Sequence, residues 1–216
     1  MPPVSPDPTQ AEPGRELVPA APASTGIRQR AIAVDAGQRT RLLRYLMEHN
    51  GWHSVLVFVA TKHAAEMVAD KLRKAGLSAE PLHDQLSPGK RTQVVADFKA
   101  ERLRVVVATE AAVRDLALAT VLVNYDLPRS TLNYNQRLRC SGGASANGVV
   151  LSFVSADTEA HFSLIEKRQG LPLPREQIAG FEPRQAPGTA APSTGGIKGK
   201  RANKKDKLHA TANPGP

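Results

Sequence analysis

The chain has little cysteine and few aromatic residues. Cys140 stands alone among 216 residues, so no intramolecular disulfide forms and no thiolate-rich metal site exists. That usage fits a reducing compartment. Phe, Trp and Tyr together make 4% of the chain, which leaves the core to Val, Leu, Ile and Ala, the residues of buried parallel sheets. No stretch reaches the roughly eighteen uninterrupted apolar residues that a membrane-spanning helix needs. Met1–Pro22 lacks a basic segment followed by an apolar one, so it does not read as a signal peptide. The expectation is a soluble, cytoplasmic protein with no membrane partner and no bound metal.

Basic residues are abundant and unevenly placed. The net charge is +9. Residues 31–180 carry nineteen Lys/Arg against fifteen Asp/Glu, whereas residues 181–216 carry seven against two. More than half of the excess therefore sits on a short C-terminal stretch. Such a balance favours polyanionic partners, nucleic acid first, through counterion release.

Residues 1–26 are rich in Pro, Ala and Ser without apolar period and read as a disordered leader. From there to residue 180 short β-branched runs alternate with helical patterns. Strands are predicted at Ala31–Val34, Ser54–Val59, Ala79–Leu82, Val105–Ala108, Val121–Tyr125 and Gly148–Val154. Helices are predicted at Arg39–His49, Lys62–Ala75 with Gly76 as its stop, Ser87–Phe98, Thr131–Leu138 and Thr158–Arg168, with a short one after Thr109. Six strands alternating with helices imply an α/β fold: one open parallel sheet with helices on both faces. Residues 181–216 turn Ala/Pro/Gly-rich and then basic, which reads as a disordered tail.

In such sheets ligands bind beyond the C-terminal strand ends, and Thr61, His83, Thr109 and Asp126 all fall there. Leu103–Arg114 carries the sharpest version of this signal. A β-branched run ends in Thr109, Glu110 and alanines, the pattern of a strand entering a helix N-terminus, where free N–H groups attract phosphates. Thr109 either caps that helix or offers its hydroxyl to a phosphate oxygen. His83 alone reads as a turn residue, and Trp52 as packing at a helix–strand turn.

Several blocks, in order, resemble the DEAD-box ATP-dependent RNA helicases. Val55–Lys62 resembles the family's motif IV, and Leu82-His83-Asp84-Gln85-Leu86-Ser87 with Arg91 and Phe98 resembles its HG-D-L-S-Q-x-x-R block. Val107–Arg114 resembles motif V, Asn124–Pro128 the N-Y-D-x-P block, and Tyr134–Gly143 stands in the place of motif VI. Ser155–Glu159, Ile165–Lys167 and the Lys-rich tail resemble the bacterial RhlE-like branch.

The resemblance implies a RecA-like C-terminal lobe alone, domain 2 of the two between which the family sandwiches ATP and Mg²⁺ and across which RNA lies. Neither a G-x-x-x-x-G-K-[ST] loop nor an Asp-Glu-Ala-Asp box occurs, so the phosphate cradle and the Mg²⁺ carboxylate are absent. The chain alone is therefore expected to bind neither ATP nor Mg²⁺ and to be inactive as a hydrolase.

By resemblance, Thr61, His83, Arg91, Thr109 and Arg114 lie in or near the RNA path. In the tail, Lys198, Lys200, Arg201, Lys204 and Lys205 are the expected electrostatic contacts to RNA. The motif VI arginines, which stabilise transferred phosphoryl charge by about 10³–10⁵ in rate, are replaced by Cys140 and Gly143. Arg137 and Arg139 are the remnants there, and with Gln136 they are the candidate nucleotide-binding residues. A one-residue shift turns a helical side chain about 100°, which weighs against Arg139 as a substitute. Motif V has lost its Gly-x-Asp to Asp115 and Ala117.

These features predict a monomeric, RNA-binding helicase lobe that is not catalytic alone. The alternatives are a half-helicase working with an N-terminal lobe on another chain, and a protein-interaction module or truncated relic docking onto such a lobe.

Overall fold

The structure, a computed structural model, describes residues 26–113, 119–141 and 148–184. All of the expected leader but Gly26, together with Arg114, Asp115, Ala117, Gly143 and the tail cations from Lys198 onward, lies outside the described residues.

β2 (Val55–Val59) and β4 (Val105–Thr109) are short and almost wholly β-branched or apolar, and every residue in them is buried. Such strands need cover on both faces, hence a parallel sheet with crossover helices. Seven parallel strands form it, in the order β3-β4-β2-β5-β6-β1-β7. The others are β1 (Arg28–Ala33), β3 (Ala79–Leu82), β5 (Val121–Asn124), β6 (Val149–Val154) and β7 (Arg175–Glu176). One edge is thus the four-residue β3, which contains Pro81, and the other is the two-residue β7.

Alternation along each strand divides the core. Val55, Val57 and Val59 face α1 (Arg39–Asn50) and α2 (Lys62–Lys74), whose Leu42, Leu46, Met47, Val68 and Leu72 complete that layer. Leu56 and Phe58 face the other side, with Val94 and Phe98 of α3 (Pro88–Lys99). On that same side α4 (Thr131–Leu138) and α5 (Glu159–Gln169) bury Tyr134, Phe162 and Ile165 over Ala31 and Val154. Gly51 ends α1 in the left-handed conformation, φ 62°, where a side chain would be strained. No helix of the described residues is long and apolar enough to cross a membrane.

The sheet differs from the expectation in three places. β1 starts at Arg28, because its register on β6 begins at Val149, and its polar first half gives no hydrophobic signal. A seventh strand, β7, joins β1. After β4 the described chain makes one 3₁₀ turn, Glu110–Ala112, and Thr109 forms no side-chain cap; the helix expected next falls outside the described residues.

The segment after α5 wraps the β1 edge as a strap. Arg175 is clamped between Glu159 and Glu166 of α5, with bonds of 2.7–3.0 Å. Phe181 is buried against Tyr45 of α1, their ring centroids 5.3 Å apart, with Arg41 over its ring. The core therefore continues one residue past the boundary at 180. The backbone N–H of Arg184 finally donates to Asp35 Oδ2 at 3.2 Å.

Candidate functional site

With every strand parallel, the turns after them open on one rim. Its first half follows β2, β4 and β3. Val59 lies opposite Thr109, and Leu82 opposite Ala108, so the next residue, His83, falls level with Thr109. Thr61 is exposed and its Oγ1 caps α2, accepting from the N–H of Ala64 at 3.1 Å. Lys62 Nζ donates to Gln85 Oε1 and joins the turns after β2 and β3. Arg91 is half-buried, and its Nη2 donates to the carbonyl of Ala112 at 2.7 Å, holding α3 to the turn after β4.

Among the described residues, two buried side chains in this half lack hydrogen-bond partners. Thr109 Oγ1 has none, and neither ring nitrogen of His83 makes one. His83 Nε2 stands 3.3 Å from Glu66 Oε1, close enough for an ion pair when the ring is protonated. Each buried polar group left bare costs about 1–3 kcal/mol. Such groups are retained where something else satisfies them.

The second half, after β5, β6 and β1, is tied together by side-chain bonds, although Gln38 Oε1, Arg39 Nε and Thr131 Oγ1 are also buried without a hydrogen-bond partner among the described residues. Asp126 Oδ1 accepts from Arg39 Nη1 at 2.9 Å, and its Oδ2 accepts from the N–H of Ala60 at 2.9 Å, tying this half to the first. Arg39 Nη2 reaches Ser155 Oγ at 2.8 Å. Arg137, with a side chain only 4% exposed, donates from Nη1 to Asn124 Oδ1 at 3.0 Å and to the Asp126 carbonyl at 2.8 Å. Its Nε points to Glu110 Oε1 at 3.4 Å, and its guanidinium lies 4.6 Å over the Phe58 ring. Burial pulls the pKa of Arg137 down, and the carboxylates of Glu110 and Asp126 oppose that.

α4 thus sends Arg137 inward, whereas Gln136 and Arg139 are exposed. Among the described residues Arg139 makes no side-chain hydrogen bond or ion pair. Cys140 is half-buried, its Sγ 3.6 Å from the Gln136 carbonyl, and burial pushes its thiol pKa up. The described residues contain no group of three or more His, Cys, Asp or Glu that could hold a metal ion.

The structure places Thr61, His83 and Thr109 at the ends of three adjoining strands, with Arg91 of α3 bonded to the turn after β4. It sets Arg137 apart from them, inside the β5–α4 junction. Arg39, Glu110, Asn124 and Ser155, which tie the second half together, were not singled out in the sequence. Arg39 lies 87 positions from Asp126 and 116 from Ser155, so no local spacing links them.

Known proteins resemble this chain in both sequence and fold. Residues 38–139 match the helicase conserved C-terminal domain. The ATP-dependent RNA helicase RhlB of Pseudomonas syringae is 30% identical over 150 residues, covering 68% of this chain and 38% of that protein. The ATP-dependent rRNA helicase RRP3 of Phaeosphaeria nodorum is 33% identical over 139 residues, covering 63% and 26%. The matched region thus spans about a third of these relatives' length. Among solved structures, the E. coli DEAD-box protein SrmB, bound to regulator of ribonuclease activity A, superposes with a TM-score of 0.68 at 25% identity. That match covers 73% of this chain and 94% of that one. Dbp5 of S. cerevisiae, bound to RNA and ADP BeF3, gives 0.64 at 26%, covering 71% and 42%. The sheet and its helices are a RecA-like lobe.

Proposed function

We propose, from the match of residues 38–139 to the helicase conserved C-terminal domain and the likeness to DEAD-box RNA helicases, that the chain is a helicase C-terminal lobe of that kind and binds RNA along the rim after β2, β4 and β3. It holds the phosphate backbone there without reading bases. One observation carries this reading: His83 Nδ1 and Thr109 Oγ1 stand level on neighbouring strands, buried and without a hydrogen-bond partner among the described residues. Thr61, Lys62 and Arg91 flank that row with a hydroxyl and two cations. The Dbp5 relative is bound to RNA, which supports the same assignment for this fold.

In the family ATP with Mg²⁺ supplies the phosphoryl-transfer chemistry. This chain's residues do not fit that role by themselves. Arg137 is buried, with its Nε and Nη1 donating to Glu110, Asn124 and the Asp126 carbonyl, and Cys140 occupies the position that the resemblance assigns to an arginine. Arg139 is the exposed α4 cation left for a phosphate. The function proposed for the chain by itself is therefore RNA binding, uncoupled from ATP, as a cytoplasmic monomer. The RhlE-like bacterial branch is the subfamily we favour, on Ser155–Glu159 and the Lys-rich tail. A second reading, an interaction lobe, is favoured by SrmB being bound to a regulator protein; a separate helicase N-terminal lobe is the partner it would take.

The test is fluorescence-anisotropy titration of single-stranded RNA across a salt series, with wild type, Thr109→Val and Thr61→Val, each with and without ATP. Weaker binding by both variants, with ATP making no difference in any protein, is expected. Wild-type affinity in both variants would overturn the rim assignment. Binding that ATP strengthens would overturn the uncoupling, and ATP hydrolysis on adding a separate N-terminal lobe would favour the half-helicase.

A further inference from the structure

Among the described residues, no element covers the outer face of α4 and α5. Both helices follow strands that pair with each other, β5 and β6, so they start at the rim and run side by side in one direction. Near the rim His161 Nε2 donates to the Pro128 carbonyl at 2.8 Å, and at the far end Gln169 Nε2 donates to Asn135 Oδ1 at 2.9 Å. These bonds mark the seam and its register, and Leu132 falls within two residues of the level of Leu164. Leu132 precedes Asn135 by three residues and Leu164 follows His161 by three, so each stands about 60° round its helix from the seam. They are the two most exposed large apolar side chains among the described residues, 67% and 58%. Both therefore lie on the solvent side, and they border a shallow groove between α4 and α5.

The charges along that groove have one sign. Arg168 follows Leu164 by one turn and lies close to the seam, Lys167 stands beside it on the outer side, and Arg139 comes four residues after Asn135. All three are exposed, and none makes an ion pair or side-chain hydrogen bond among the described residues. α4 contains no acid, and the two glutamates of α5, Glu159 and Glu166, are both engaged by Arg175. Asp157 precedes α5 at the rim end, a helix length of roughly 16 Å from the cations.

We propose that the α4/α5 groove docks an acidic amphipathic helix of a partner protein. Its apolar side chains pack between Leu132 and Leu164, and its carboxylates meet Arg168, Lys167 and Arg139. Helix-in-groove recognition has this form, with apolar anchors spaced three or four residues apart. α5 is eleven residues long, so the seat takes about three turns. An RNA backbone would gain nothing from the two leucines, which favours a protein segment. A second copy docked through the same face would set cation against cation. The surface lies away from the β2/β4/β3 rim and does not depend on the RNA-binding reading.

The experiment titrates the full isotope-labelled chain with a defined probe and follows its amide NMR shifts. The probe is a capped helical peptide of about four turns, with leucines along one face and glutamates on both flanks. Shifts confined to α4 and α5 are expected, weakening as salt is raised. Leu132→Ser with Leu164→Ser should abolish them, and Lys167→Glu with Arg168→Glu should weaken the peptide roughly tenfold. Arg139 is left unchanged, so the candidate nucleotide residues stay intact. Thermal melts matching wild type establish that both variants are folded. No shift in α4 or α5 at about 1 mM peptide, or equal shifts from a peptide with lysines in place of its glutamates, overturns the proposal. So does oligouridine that moves the same amides, which would make the face an RNA surface. A dimer that the leucine variant loses would seat a second copy there instead. Movement of the same amides in the peptide-free chain when Asp7, Glu12 and Glu16 are changed to Gln would assign the groove to the chain's own residues, and would overturn it too.

Discussion

Arg137 is the residue whose replacement separates a structural role from a remnant of nucleotide chemistry. In Arg137→Met the hydrocarbon stem and the contact with Phe58 are largely kept, since a thioether packs well on an aromatic ring, so little cavity forms. What is lost is the fork of bonds to Asn124 Oδ1 and the Asp126 carbonyl, at 3.0 and 2.8 Å. Each of those acceptors, left bare beneath α4, costs about 1–3 kcal/mol. Relief of the desolvation that lowers the Arg137 pKa offsets part of this. The net expectation is a loss of about 3 kcal/mol, the cost of the two bare acceptors less that relief. For a lobe of this size that is a fall in Tm of roughly 6–12 °C. Glu110→Gln is the control. Its bond is long, 3.4 Å, and its side chain is 32% exposed, so it should cost under about 1 kcal/mol. Urea unfolding of both variants and the double variant measures this. A loss under about 1 kcal/mol for Arg137→Met would refute the reasoning, because it would mean that the buried guanidinium costs as much as its bonds return. RNA affinity measured well below Tm is expected to stay at the wild-type value.

Three further outcomes are expected. Ending the chain at Gly180 removes the buried Phe181 and should cost about 3 kcal/mol, like other Phe deletions in a core, whereas ending it at Arg184 should leave Tm unchanged; calorimetry decides. Burial pushes the pKa of Tyr134 up to about 12, from 10 in the unfolded chain. The folded state holds its proton longer, so stability present below pH 10 is lost as pH rises from 10 toward 12, and Tyr134→Phe should flatten that loss; an identical slope in alkaline unfolding curves would count against it. Cys140, its thiol pKa raised by burial, should react with a disulfide reagent at pH 8 more slowly than a free cysteine peptide. Equal rates would show it to be more open than its half-buried setting implies.

The layers of the lobe could be read from the sequence because period does most of the work there. Val55–Val59 and Val105–Thr109 are nearly continuous β-branched runs, and α2 and α4 show their buried faces at helical spacing, so their bounds agree with the prediction to within a residue or two. Where a strand lies at the sheet margin, pattern fails. Arg28, Gln29 and Arg30 pair with β6 through backbone alone, and β7 is an Arg–Glu pair whose contribution is ionic, Arg175 to α5 and Glu176 to Arg30 at 3.0 Å. At the rim, the turns placed Thr61, His83 and Thr109 in the sequence, since each comes after a legible strand. The hydrogen bonds missing at Thr109 Oγ1 and His83 Nδ1 among the described residues depend on how three strands stack. Register sets that, and composition does not.

The two margins of the sheet also govern what happens between molecules. Neighbouring copies aggregate most readily by adding strand to strand along free backbone edges. At one side stands β3, four residues long, with Pro81 withholding a donor; at the other stands β7, two residues long and continued by a strap that folds back over α1. Each border is too short to template a further strand. Lateral growth thus stops at both sides of the lobe, even though its interior is a nearly unbroken β-branched sheet of the kind that would pair readily if a longer edge were bare.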